Sequence, residues 1–182
     1  WSSDVCSSDL SVEFDLYESF AKTYRGHGTD IALVGGILGM EPSDLRLRDS
    51  LEIAKEMGLK IRFREADLGD VHPNTVKFLI KDIDDIEWEV LGSSIGGGLV
   101  EIHEINGKKV KITGEYPTII TCHDDVPGTV SKISTLFYEN KINIAFMSLS
   151  RNQKGKDATM TLEVDTNISD EIINEIKSIN GV

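Results

Sequence analysis

The sequence predicts an α+β fold made of two domains, residues 11–114 and residues 115–182. Segments in which apolar and polar residues alternate indicate half-buried strands, and segments with apolar residues every three or four positions indicate helices. In the first domain the helical segments come early and the strand segments late, which is typical of α+β proteins. In the second domain the pattern starts again in the order β-α-β-β-α.

The first domain is predicted to open with a strand over 12–16, where apolar residues alternate with polar ones. The run at 31–38 is apolar on every side and predicts a buried helix. Thr29 or Asp30 is expected to open this helix, because either side chain can accept a hydrogen bond from the free N–H groups of a first turn.

Another helix is predicted over 43–57, with Ser43 as its N-cap and Gly58 in the left-handed position that ends helices. Strands follow in quick succession, and Asn106-Gly107 between the last two is a strong hairpin signal. These strands are expected at 61–63, 76–80, 88–91, 100–102 and 110–112.

The second domain is predicted to contain a β-branched strand, a striped helix from near Gly128, two more strands and a helix capped by Ser169. This order is that of a ferredoxin-like domain, βαββαβ, truncated at its last strand, because the sequence ends at Val182 where that strand would begin. Cys122, in the first of these strands, is expected to be a small buried apolar residue. The strands are expected at 116–123, 144–150 and 158–164.

Residues 1–10 contain Ser-Ser-Asp twice and show neither helical nor strand periodicity. They are interpreted as a non-native leader and are left out of the fold prediction. A native disordered tail is the alternative interpretation.

The composition disfavours several classes of function. Lys and Arg number 19 and Asp and Glu 31, so the net charge is −12, which argues against nucleic acid or an anionic membrane as a partner. The longest uncharged apolar run, 31–40, is far shorter than the roughly 20 residues needed to cross a bilayer. With two cysteines, the chain alone cannot hold a disulfide scaffold or a four-thiolate metal site. We therefore expect a cytoplasmic chain with no metal ligands of its own.

His27 lies between two glycines, just before the predicted buried helix. The N–H groups at a helix N-terminus favour a carboxylate or phosphate, and the glycines let a ligand approach the backbone. His27 is therefore a candidate acid/base or anion anchor, with Thr29 and Asp30 beside it. A glycine-rich turn with a solvated histidine is an equally good explanation.

Two further polar segments are candidate sites. Residues 72–75 contain His72 and Asn74, although a turn around a proline explains this segment adequately. Residues 93–98 combine Ser93 and Ser94 with three glycines and predict either an anion-binding nest or a plain flexible loop.

Several motifs agree with one family. They are Arg-Gly-His-Gly-Thr-Asp at 25–30, Val-Gly-Gly at 34–36, His-Pro-Asn-Thr at 72–75 and Ser-Ile-Gly-Gly-Gly at 94–98. In this order they resemble the beta chains of bacterial iron–sulfur-dependent L-serine dehydratases, over residues 12–182. The second domain resembles an ACT domain, a small-molecule-sensing module, in its Asp-Val-Pro-Gly turn at 125–128 and its strand at 142–147.

The resemblance implies an activity, the conversion of L-serine to pyruvate and ammonia, and a partner, an alpha chain whose cysteines ligate a 4Fe-4S cluster. It also implies that the first domain is of the allosteric-substrate-binding type and that the ACT domain binds a regulatory ligand or forms a dimer. The catalytic residues are then expected to be His27, Thr29 and Asp30. The substrate-binding residues are expected to be His72, Asn74, Ser93, Ser94, Gly96 and Gly97, and the ACT ligand or interface residues Asp125, Pro127, Gly128 and Asn143.

Two other functions stay open. The same pair of domains resembles the regulatory portion of some phosphoglycerate dehydrogenases, which makes a non-catalytic amino-acid sensor the first alternative. A purely structural dimerisation partner is the second. The chain departs from the families it resembles in three places. Val126 and Lys141 stand where many ACT domains have Arg and Gly, and nothing before Val12 matches the serine-rich, histidine-containing loop with which the beta chains open.

Overall fold

The computed structural model describes residues 10–82, 84–151 and 153–182. Contacts within the chain divide it into two units, one ending at Ile95 and the other spanning Gly96–Val182. Residues 1–9, on which the interpretation of a leader depends, lie outside the described residues, and Cys6 is among them. None of the helices described is both long enough and apolar enough to cross a membrane.

The first unit combines short helices with a mixed sheet. Its elements are β1 (Ser11–Leu16), α1 (Glu18–Thr23), α2 (Thr29–Ile37), a 3-10 helix (Leu45–Asp49), α3 (Ser50–Glu56), β2 (Lys60–Glu65), β3 (Thr75–Lys81) and β4 (Glu87–Gly96). The strands lie in the order β2-β1-β3-β4. β1 pairs parallel with β2 and antiparallel with β3, and β3 pairs antiparallel with β4.

A row of three phenylalanines crosses the centre of this sheet. Phe14 on β1 is directly opposite Phe63 on β2 and Phe78 on β3. Its ring centroid lies 4.8 Å from that of Phe63 in a stacked arrangement and 5.4 Å from that of Phe78, edge to face. On β1 the buried Asp15 carboxylate also accepts two hydrogen bonds from the guanidinium of Arg64 opposite it, at 2.7 and 2.8 Å. These contacts fix the register of β1 against both neighbours.

The helix predicted over 43–57 begins differently from expectation. The chain first forms the 3-10 helix, whose N-cap is Asp44. The carboxylate of Asp44 accepts from the backbone N–H of Arg46 at 2.9 Å and from its guanidinium at 2.6 Å, and the guanidinium contact chiefly lowers the pKa of Asp44 to about 2. Ser43 as N-cap is therefore wrong, because Asp44 bonds to both kinds of donor on Arg46. Gly58 follows α3 with the predicted left-handed φ, +75°.

The second unit contains a β-hairpin and then the predicted β-α-β-β-α order. Its elements are β5 (Leu99–Ile105), β6 (Lys108–Ile112), β7 (Thr118–Asp124), α4 (Thr129–Glu139), β8 (Ile144–Arg151), β9 (Asp157–Val164) and α5 (Asp170–Ser178). β9 lies between β7 and β8 and pairs antiparallel with both. Ile133, Phe137, Met160, Leu162 and Ile176 are buried in one cluster, so α4 and α5 cover one face of the sheet. The α+β, ferredoxin-like prediction is confirmed.

Two residue-level predictions for the second unit have opposite outcomes. The hairpin turns at Asn106-Gly107 as predicted, with φ of +49° and +74°. The prediction that Cys122 is buried is wrong, because its side chain is exposed. Side chains alternate between faces along a strand, and on β7 the buried positions are Thr121 and His123.

The hairpin covers the face of the second sheet that lies opposite the helices. The N–H of Thr113, just after β6, donates to the buried Glu163 carboxylate on β9 at 2.6 Å, and Ser150 on β8 donates to the carbonyl of Lys109 at 2.7 Å. Glu163 follows Leu162, which faces the helices, so it points the other way. Because of these contacts the chain divides at 95/96 in the structure. The domain boundary predicted from the sequence, between 114 and 115, stays a prediction.

The loop after β7 is held by the carboxylate of Asp125. Its Oδ2 accepts from the N–H of Gly155 at 2.8 Å and from Nη1 of Arg151 at 3.0 Å. The N–H of Asp125 donates in turn to the carbonyl of Lys156 at 2.9 Å. The Gly155 N–H, and then the Arg151 guanidinium, lower the pKa of Asp125 below its ordinary value.

Thr161 provides a test of the packing in the second unit. It is fully buried on β9, and its hydroxyl has no hydrogen-bond partner among the described residues. Thr161→Val keeps the shape and removes the unsatisfied group, so we expect calorimetry to show a melting temperature raised by about 2 °C or more. Thr113→Val, which removes a donor to Glu163, should lower it. A fall with Thr161→Val would contradict this account.

Asp125 provides a test of pH dependence. Because folding lowers its pKa, its ionised form stabilises the fold above the ordinary carboxyl pKa, and this stabilisation is lost as the pH falls through the lowered value. We expect Asp125→Asn to lower the melting temperature at pH 7, with the difference from the parent chain shrinking as the pH is taken down through the carboxyl range. Circular dichroism over a pH series measures this, with the exposed Asp70→Asn as control. A difference in melting temperature that stayed the same at every pH would contradict this account.

Candidate functional site

Five polar residues meet where β3 begins beside β4, and we call them the hydroxyl cluster: His72, Asn74, Thr75, Ser93 and Ser94. Thr75 is directly opposite Ser93, and both are buried. The Thr75 hydroxyl donates to the carbonyl of His72 at 2.6 Å and lies 2.6 Å from the Ser93 hydroxyl. The N–H of Ser94 donates to the carbonyl of Asn74 at 2.9 Å. The structure thus joins two of the predicted site segments.

The segment 72–75 is held from two sides and presents a histidine outward. The N–H of Ser19, in the first turn of α1, donates to the carbonyl of Pro73 at 3.1 Å. The N–H of Asn74 donates to Nδ1 of His72, also at 3.1 Å. The His72 ring is exposed, whereas the hydroxyls of the cluster lie in the sheet.

The other end of α1 leads into the glycine-rich turn that carries His27, Thr29 and Asp30. The N–H of His27 donates to the carbonyl of Thr23 at 3.1 Å. Helix α2 begins at Thr29, but its N-cap is Gly28, at a φ of +69° and with no side-chain cap. The prediction that Thr29 or Asp30 caps this helix is therefore wrong. His27 is exposed, and Thr29 and Asp30 are half-buried. Since α1 has six residues, a rise of about 9 Å, the turn and the hydroxyl cluster are attached to opposite ends of one short helix.

A cavity of about 460 Å³ lies beside this turn. The rings of Tyr24 and Phe63 stack in its wall with their centroids 5.4 Å apart. Arg25, Lys55 and Asp30 also line it, and neither cation has an ion-pair partner among the described residues. Two cations and a carboxylate on an apolar wall suit a small molecule that carries both a carboxylate and an ammonium group. The lining residues are Tyr24, Arg25, Asp30, Leu51, Lys55, Leu59, Ile61 and Phe63.

Of the predicted site residues, it is Asp30 that lines this cavity. Sequence patterns did not identify Lys55 or Phe63 as site residues. Leu51 and Lys55 are four positions apart and share one face of α3, which is the signal that could have indicated the lysine. Phe63 alternates with charged residues like any half-buried strand position, so no pattern distinguishes it from the core.

The predicted residues Gly96 and Gly97 form part of a turn at the end of β4. Gly96, Gly97 and Gly98 have φ values of +98°, +64° and +81°, which glycine adopts without strain. An anion-binding nest combines right-handed and left-handed residues, and three successive positive φ values do not fit that pattern. The plain turn is therefore the better description of this segment.

The predicted ligand or interface residues of the second unit do not lie together in one copy of the chain. Asp125, Pro127 and Gly128 follow β7, at the end of the sheet where β9 begins, whereas Asn143 precedes β8, at the end where β9 stops. The eight residues of β9 separate these ends by roughly 23 Å. Asn143 donates instead to Asp165 at 2.7 Å.

Two details of this unit agree with departures noted in the sequence. Lys141, which stands where related modules often have glycine, has a φ of +58°, a left-handed conformation that glycine adopts more easily. Val126, which stands where related modules often have arginine, is exposed. Position 126 therefore presents an apolar side chain in place of a cation.

The described residues do not fit an iron–sulfur cluster held by this chain alone. Such a cluster takes about four cysteine thiolates, and the described part of the chain contains one cysteine, Cys122. Within the same residues there is no group of three or more His, Cys, Asp or Glu side chains arranged to hold a metal ion.

Comparisons with known proteins agree with the motifs. The family model of the ACT domain matches residues 118–181. The probable L-serine dehydratase beta chain of Bacillus subtilis is 41% identical over 92% of this chain and 76% of its own length, and the L-serine dehydratase beta chain of Peptoniphilus asaccharolyticus is 40% identical over 96% and 79%. D-3-phosphoglycerate dehydrogenase of Bacillus subtilis is 27% identical over 96% of this chain but 33% of its own length. The chain belongs to the family of L-serine dehydratase beta chains and carries an ACT domain at its carboxyl end.

Proposed function

We propose that this chain acts with a cysteine-bearing alpha chain to convert L-serine to pyruvate and ammonia. The observation that carries the proposal is the likeness to two L-serine dehydratase beta chains along almost the whole chain. The attachment of the hydroxyl cluster and the glycine-rich turn to opposite ends of α1 supports it.

In this reaction serine loses the proton on Cα and its hydroxyl group, and the resulting aminoacrylate is hydrolysed to pyruvate and ammonia. One group must accept a proton near neutral pH, which imidazole does well. His27 is our candidate because it is exposed at a turn whose glycines leave room for substrate. Thr29 and Asp30 stand beside it, and the hydroxyl cluster supplies polar groups for binding substrate.

We propose that the 4Fe-4S cluster is held by the alpha chain, because this chain has two cysteines in all and a cluster takes about four. The same sparing use of cysteine supports a cytoplasmic location. The ACT domain would then dimerise or bind a regulator. A ligand site that used both the Asp125 turn and Asn143 would take them from two copies, since they lie at opposite ends of the sheet.

Amino-acid sensing is a second function, supported by the cavity beside Asp30. Arg25 and Lys55 would bind the carboxylate of an amino acid and Asp30 its ammonium group. This role does not exclude the first, because an enzyme subunit can also carry a regulatory site. It is the function that would remain if no alpha chain assembled with this one.

The division of labour between the chains can be tested by anaerobic reconstitution with iron and sulfide. We expect the isolated chain to stay colourless and inactive, and the mixture with an alpha chain from a two-subunit serine dehydratase to gain visible absorption and release pyruvate from L-serine. A stable brown colour on this chain by itself would overturn the assignment of the cluster to the partner.

The role of His27 can be tested in the same assembly. His27→Ala should lower the turnover of serine by about a hundredfold or more, the range usual for a general acid or base, with cluster absorption and melting temperature unchanged. The control is His103→Ala, a histidine on β5 in the other unit. Turnover near that of the parent assembly would show that His27 is only part of a turn.

A further inference from the structure

We propose that His72 binds the substrate as a hydrogen-bond donor through Nε2–H, and that Thr75 and Ser93 are positioning residues that hold it in this state. The inference rests on the proposed function and deepens it by assigning a direction to each hydrogen bond of the hydroxyl cluster. It also separates the roles of the two exposed histidines of the first unit.

The direction of the first bonds follows from counting protons. The hydroxyl of Thr75 has a single proton, and the carbonyl of His72, 2.6 Å away, can only accept. The Thr75 proton therefore points at His72, and the 2.6 Å contact between the two hydroxyls requires Ser93 to donate to Thr75. Both hydroxyls are buried, and a hydrogen bond in the protein interior is electrostatically stronger than one exposed to water. The chain of bonds runs from Ser93 through Thr75 to the backbone of His72.

The same argument fixes the proton on the imidazole ring. The backbone N–H of Asn74 can only donate, and it points at Nδ1 of His72 at 3.1 Å. Nδ1 must therefore carry its lone pair, which in a neutral imidazole leaves the proton on Nε2. The Thr75 hydroxyl and the Asn74 N–H together hold the backbone and the ring of His72 in one arrangement.

This arrangement suits a binding group better than a base. The Nε2–H of the exposed His72 ring is a donor that can reach a bound molecule, and a carboxylate such as that of serine is an acceptor only. In this state Nε2 carries the ring proton and Nδ1 accepts from the N–H of Asn74. The proton from Cα is then left to His27 at the other end of α1.

The tautomer can be measured on the whole chain by nitrogen-15 NMR of labelled histidine, since the chain has four histidines and His72→Gln identifies the resonance of interest. At a pH where the ring is neutral, we expect Nε2 of His72 to show the shift of a protonated nitrogen and Nδ1 that of a hydrogen-bonded acceptor. Thr75→Val should bring the two shifts towards the average of a free ring, and Thr75→Ser should restore them. Averaged shifts in the parent chain, or a proton on Nδ1, would overturn the inference.

Two further variants keep the NMR test decisive. Thr161→Val removes a buried hydroxyl of the other unit and should leave the His72 shifts unchanged. Ser93→Ala removes the donor to Thr75 and serves if Thr75→Val does not fold. We expect it to shift His72 in the same direction, and unchanged His72 shifts in a folded Ser93→Ala chain would show that the hydroxyl pair does not position the ring.

Kinetics of the assembly with an alpha chain give the second readout. If His72 anchors the carboxylate, Thr75→Val should raise the KM for serine by about tenfold, the effect usual for a weakened hydrogen bond to a charged group, with kcat changed less than about twofold. Thr75→Ser should restore the KM. A fall in kcat at constant KM would place His72 in the chemical step and overturn the binding role. A parent assembly with no serine turnover would refute the proposed function while leaving the NMR result as the test of the geometry.

Discussion

The contact between Phe14 and the two phenylalanines that flank it sets the register from which the first unit follows. A slip of one residue would turn every side chain of β1 to the opposite face and would remove the stacked and edge-to-face pairs together. In the observed register Leu16 lies opposite Val76. The backbone N–H of the next residue, Tyr17, then donates to the carbonyl of Thr75, and the N–H of Ser19 in the first turn of α1 donates to the carbonyl of Pro73, both at 3.1 Å.

The same register brings together hydroxyls that are far apart in the sequence. Thr75 meets Ser93 because β3 and β4 pair antiparallel with these two residues opposite each other. A buried pair of hydroxyls is tolerated because each proton has an acceptor. The position of His72 therefore depends, through Thr75, on the strand register that the three phenylalanines in the middle of the sheet set.

The elements were largely predictable from the sequence, because the patterns that define them are local. Alternation marks β1 and β9, and Asn106-Gly107 marks its hairpin because the turn needs two positive φ values. Two of the wrong predictions depended on neighbouring residues instead. The N-cap is Asp44 and not Ser43 because the carboxylate of Asp44 bonds to Arg46, two residues further on. Cys122 is exposed because side chains alternate along β7 and its own points away from the helices.

The candidate site was only partly predictable, for the same reason. Each motif is visible as a run of unusual residues, but the bond between Thr75 and Ser93 spans 18 positions and exists only in one strand register. The cavity is even harder to predict from the sequence, since Lys55 comes from a helix and Phe63 from an edge strand, both with ordinary sequence patterns. Asp125 and Asn143 lie at opposite ends of the sheet because of the directions of its strands, and these directions cannot be predicted from a motif.

The hairpin that covers the second sheet has a consequence for how such a module can be exchanged between proteins. A recombinant chimera cut at the start of β7 would take Glu163 away from the N–H and hydroxyl of Thr113 and would uncover the face of the sheet on which Glu163 lies. A cut near Gly96 keeps the hairpin, the three-stranded sheet and both helices together as one inherited block. A segment moved into another protein should therefore be longer than the residues that match the ACT domain, because it has to include β5 and β6, which cover the face of the sheet opposite the helices.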